Sequence, residues 1–65
     1  MTEKQKKQTE HYLNEFIKLH NSFFKDGDYK LAEYWKGQVM GICKMITVFE
    51  CENDLNPEYY LSQIY

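Results

Sequence analysis

The chain has 65 residues, 43% hydrophobic, 28% charged and 17% aromatic, which makes one small domain. Eight lysines against ten acids leave a formal charge of −2, and there is no arginine, which argues against an affinity built on phosphate neutralisation or guanine readout. No apolar run approaches the roughly 20 residues of a membrane span, and the start is polar and lysine-rich, so no membrane segment or signal peptide is expected and the protein is placed in the cytoplasm.

In chain order, Thr2-Glu3-Lys4-Gln5 is a capping box and opens a first helix over about residues 3–25. Lys4, Lys6 and Lys7 sit at the positive end of its dipole and no apolar residue precedes Tyr12 apart from Met1, so the first two turns are expected to fray unless something holds them. At 100° per residue, Tyr12, Leu13, Phe16, Ile17, Leu19, Phe23 and Phe24 fall in one arc of roughly 160°, with His20 near its middle. Asp26-Gly27-Asp28 ends the helix, because Gly27 can take the left-handed conformation and Asp28 can cap the free amides of a second helix; so short a link dictates an antiparallel hairpin.

The second helix is predicted over about residues 29–52, with a seam of Leu31, Trp35, Val39, Ile42, Ile46 and Phe49 in 4-3-4-3 spacing. An adjacent strip, Tyr34, Gln38, Gly41, Met45 and Val48, repeats that spacing, and the first helix doubles in the same way, with 12, 16, 19, 23 beside 13, 17, 20, 24. Each helix is thus built for two neighbours, and a hairpin supplies one. The expectation is therefore an all-α homodimer, an antiparallel four-helix bundle in which Phe16, His20, Phe23, Trp35, Val39, Ile42, Ile46 and Phe49 form the core or the dimer contact. Asn56-Pro57-Glu58 starts a short third helix over about 57–64, which carries Tyr59, Tyr60, Leu61 and Ile64 and leads to Tyr65.

The stretch from Leu19 to Ala32, with Phe23-Phe24 leading into Gly27-Asp28-Tyr29, resembles the middle of one tetratricopeptide repeat. It departs from that pattern at Lys36, usually aromatic, and in lacking a proline near Lys44; as a solenoid needs about three stacked units, the resemblance implies a helical hairpin and no more. The outline is also similar to the small two-helix phosphatases of sporulation relays. Their Ser-Gln-Glu-Leu-Asp type motif is absent, Cys51-Glu52-Asn53-Asp54-Leu55 standing in its place, so no phosphatase activity is implied. The abundance of Lys, Tyr, Phe, Ile and Asn resembles chains from AT-rich genomes such as those of low-GC bacteria and their phages.

No residues assemble into a catalytic, cofactor or metal pattern. His11 and His20, nine residues apart, lie about 180° around the helix from each other; His20 is expected to be a hydrogen-bonded core histidine or to meet its copy at a dimer axis. Cys43 and Cys51 are eight residues apart on one predicted helix, roughly 12 Å along the axis, too far for a disulfide. Glu50, Glu52, Asp54 and Glu58 gather at the approach to the third helix as a solvated acidic end. Gly37 and Gly41, at about 1 kcal/mol each in a helix, call for another helix or an aromatic ring crossing at close range.

The chain is accordingly expected to be non-enzymatic, a regulator or inhibitor that binds a protein through Tyr34, Gly37, Gly41, Met45, Val48, Tyr59, Tyr60 and Tyr65. The alternatives are a nucleic-acid-associated dimer using Lys4, Lys6 and Lys7, or a structural subunit of a larger assembly.

Overall fold

The computed structural model describes residues 1–65 as three helices and no strands: α1 (Glu3–Lys25), α2 (Tyr29–Val48) and α3 (Pro57–Ser62). α1 begins at the capping box, where the Gln5 amide donates to Thr2 Oγ1 at 3.1 Å and the Thr2 amide donates to Gln5 Oε1 at 3.0 Å. The first two turns are helical rather than frayed, since the box satisfies two amides that the lysines cannot. The Met1 amino group adds an ion pair with Asp54 at 3.2 Å.

α1 ends in a Schellman motif. Gly27 sits at φ +82°, its amide donates to the Phe24 carbonyl, and the Asp28 amide donates to the Phe23 carbonyl at 2.9 Å. Asp28 Oδ1 then accepts from the Leu31 amide at 3.3 Å, so one residue closes α1 and opens α2. The two long helices pack as a hairpin.

α2 stops at Val48, four residues before the expected end. The reason is a second Schellman motif with glutamate in the glycine position: Glu50 has φ +57°, its amide donates to the Thr47 carbonyl, and the Cys51 amide donates to the Ile46 carbonyl at 2.8 Å. The chain turns through Asn53 and Asp54, drives Leu55 into the interior, and restarts at Asn56, whose Oδ1 accepts from the Glu58 amide at 3.0 Å. α3 holds six residues and ends at Ser62, short of the expected 64.

The core joins Leu13 and Ile17 of α1, Val39, Cys43 and Ile46 of α2, Leu55 of the connection and Tyr60 of α3. Ala32, the one alanine, is buried close after the turn between the long helices. The buried face of α2 is thus the line Ala32-Val39-Cys43-Ile46, rotated by roughly 50° from the expected seam. Leu31 and Phe49 fall outside it and are exposed, and Trp35 and Ile42 are half-buried at its border. The extents of 37 × 19 × 15 Å make a slab little thicker than one helix with its side chains in its thinnest direction.

A non-glycine residue in the left-handed region costs about 1–2 kcal/mol. Glu50→Gly is therefore expected to raise the thermal midpoint by about 4–8 °C, after allowing for glycine's freer unfolded chain. Thermal melts followed by circular dichroism check this, and an unchanged midpoint would count against a strained stop at Glu50.

Candidate functional site

α3 packs on one side of the hairpin. Cys43 Sγ donates to the Pro57 carbonyl at 3.8 Å, and Tyr60 joins the common core with Ile17 and Cys43. Asn21 of α1 ties down the segment after α3: its Nδ2 donates to the Gln63 carbonyl at 3.0 Å and its Oδ1 accepts from the Tyr65 amide at 3.2 Å. The same Oδ1 lies 2.8 Å from Nδ1 of the buried His20; an amide oxygen only accepts, so that ring nitrogen carries the hydrogen. His20 also stacks on Phe24 with ring centres 5.8 Å apart. It is a satisfied histidine within the fold, not one placed on an outer strip, and no fully buried side-chain nitrogen or oxygen lacks a partner.

The opposite side of the hairpin has nothing over it. A chain of rings crosses it from helix to helix: Tyr12 to Phe16 at 5.9 Å, Phe16 to Trp35 at 5.1 Å, and Trp35 to Tyr34 at 4.9 Å. Tyr12 is 54% exposed, Tyr34 55%, Val48 59% and Phe49 66%, with Met45 close behind and Phe16, Leu19, Phe23, Trp35 and Ile42 half-buried. Beside the rings an open groove of about 740 Å³ is lined by Met1 and Thr9 from the start of the chain, by Gly37, Gln38, Gly41, Ile42, Lys44, Met45 and Ile46 of α2, and by Phe49 and Cys51.

Charge on this side is sparse, Lys44 and the Met1 amino group being the cations at the groove. At 100° per residue, all four charged residues of α2, Lys30, Glu33, Lys36 and Lys44, occupy one arc of roughly 120°. The complementary arc holds Leu31, Tyr34, Trp35, Gln38, Gly41, Ile42, Met45 and Phe49. On α1 the facing strip reads Gln5, Thr9, Tyr12, Phe16, Leu19 and Phe23.

Of the residues expected to bind a partner, Tyr34, Gly37, Gly41, Met45 and Val48 lie exposed along the outer side of α2, between the aromatic strip and the arc that carries the lysines. Tyr59 and Tyr65 are exposed on the α3 side with Met40 and Leu61, whereas Tyr60 is a core residue and presents no surface. Of those expected in a core or dimer contact, His20, Val39 and Ile46 are buried within the chain, Phe16, Phe23, Trp35 and Ile42 are half-buried, and Phe49 is exposed. No ring of this chain lies across Gly37 or Gly41: a Cβ built at either meets nothing within 4 Å. Sequence reasoning missed the role of Asn21, a polar residue outside the apolar arc whose partners lie 42 and 44 residues away.

No three of the His, Cys, Asp and Glu side chains come together as a metal-binding group, and no helix is long and apolar enough to cross a membrane. Both cysteines are free; Cys43 is buried at a small crevice between α2 and α3, and Cys51 is half-buried beside the larger groove. Family models, curated proteins and solved structures offer no match to the chain.

Burial holds the Cys43 thiol above its ordinary 9.0 and, as the largest cause, the Tyr60 phenol above its ordinary 10.0. Both groups keep their protons longer folded than unfolded, so the stability they contribute is complete below pH 9.0 and is lost as pH rises through the raised values. Denaturant midpoints measured from pH 8 upward should fall with this sign. Ellman titration of the native protein should show one fast thiol, Cys51, and one that reacts only on the timescale of unfolding, Cys43; two equally fast thiols would contradict this packing.

Proposed function

We propose that this protein is a non-enzymatic regulator or inhibitor that acts by protein–protein contact, with the open side of the hairpin as its working surface. One observation carries the reading: both helices present an apolar, aromatic-rich strip on the same side, and no part of the chain covers it. Such an area, flanked by charge on the remaining surface, is the chemistry of a protein interface. Tyr12, Tyr34 and Phe49 are the anchors, being large side chains with few rotatable bonds and therefore little entropy to lose on docking. The four-helix arrangement expected from the doubled strips is one form of the same reading, since an identical hairpin laid on this side covers both copies at once.

The apolar bulk of the face favours a partner of the same kind. Phosphates and acidic peptides are recognised by clustered cations, whereas this face offers Lys44 and a Met1 amino group already paired with Asp54.

A photo-crosslinking residue at position 34, with the same residue at position 40 on the other side of α2 as control, tests the reading in cells that express the chain. Protein adducts are expected from position 34 and should be lost in a Met45→Glu background with helicity unchanged. If neither position gives a protein adduct of any mass, the reading is overturned.

A further inference from the structure

Resting on the reading of the open side as a docking surface, we propose that its occupant is a second copy of this chain, with α2 antiparallel to α2 of the copy and the two-fold axis passing at Gly41.

Spacing places the axis. Tyr34, Gly37, Gly41, Met45 and Val48 form a strip that is symmetric about Gly41, with steps of three, four, four and three residues. In an antiparallel pair with Gly41 on the axis, Gly37 lies opposite Met45 of the copy, Tyr34 lies opposite its Val48, and Gly41 meets itself. Each large side chain therefore faces a smaller one, and the two backbones can approach closely where the glycines stand. This accounts for Gly37 and Gly41, over which nothing in the chain itself lies within 4 Å of a Cβ position.

Area is sufficient for a stable pair. The exposed parts of Tyr12, Leu31, Tyr34, Met45, Val48 and Phe49 amount to on the order of 600 Å², and the half-buried Phe16, Trp35 and Ile42 bring the face to roughly 800 Å². That matches the roughly 800 Å² per partner of a standard stable interface and exceeds the largest patch usual on a monomer.

Sedimentation equilibrium of the full chain over a wide concentration range tests this. The expected mass is about twice 7.9 kDa, and Gly41→Glu, which places two carboxylates on the axis and has open space in the single chain, should reduce it to that of one chain with an unchanged circular dichroism spectrum. Register is read from cysteine pairs in a Cys51→Ser background: Gly41→Cys should link to its own copy on oxidation, Tyr34→Cys alone should not, and Tyr34→Cys mixed with Val48→Cys should. Gly41→Ala serves as the folding control, expected to keep its helicity. A wild-type monomer at every concentration overturns the inference, while adducts of higher mass from position 34 would keep the docking reading with a foreign partner. A dimer that survives Gly41→Glu and gives no Gly41→Cys link overturns it as well, by placing the contact elsewhere.

Discussion

A helix in a two-helix hairpin can turn only about a third of its circumference toward its neighbour, and the choice of which third governs everything else in this molecule. Here Leu13 and Ile17 meet Val39, Cys43 and Ile46, and that choice sends Cys43 and His20 toward the α3 side and the rings of Tyr12, Phe16, Trp35 and Tyr34 toward the other. A rotation of α2 by roughly 50° would turn Trp35 and Ile42 inward and carry Ala32 and Cys43 toward the border. The observed setting buries Ala32 and Cys43 beside aliphatic residues and leaves the rings of Tyr12 and Tyr34 on the outside face.

The length of the covering element then fixes the asymmetry. α3 has six residues against the twenty of α2, enough to close one side with Tyr60 and Leu55 but unable to wrap to the second. Its position is set by polar contacts as much as by burial. Asn21 uses its amide nitrogen on Gln63 and its oxygen on Tyr65, and the His20 ring, satisfied by the same oxygen, is thereby compatible with an apolar setting. These polar contacts tie that side of the hairpin to its own chain.

Both helix ends next to the core obey one geometry with different residues. At Gly27 the left-handed position is filled by the residue that takes it without strain; at Glu50 it is filled by one that does not. The second stop must be imposed by its surroundings, and Leu55 in the interior with Cys51 bonded back to Ile46 are the contacts that require the turn. The strain is the local cost of swinging the chain back over Cys43.

The sequence by itself determined the three helices, the capping box at Thr2, the turn at Gly27-Asp28 and the start of α3 at Asn56-Pro57, because capping and turn formation depend on residues a few positions apart. It also showed that each long helix carries two apolar strips, since that is a matter of spacing alone. Only the tertiary structure decided which strip goes inside. Heptad spacing selects Leu31, Trp35 and Phe49 as readily as Ala32 and Cys43, and the decision rests on packing volume between helices, which no single helix contains. The stop at Val48 was illegible for the same reason: glutamate carries no signal for a left-handed turn, and the contacts that hold Glu50 there come from Leu55 and beyond. Asn21 reads as an ordinary surface residue until the chain returns, 42 residues later, to meet it. The open face is the remainder of these choices, being the surface that the interior did not take.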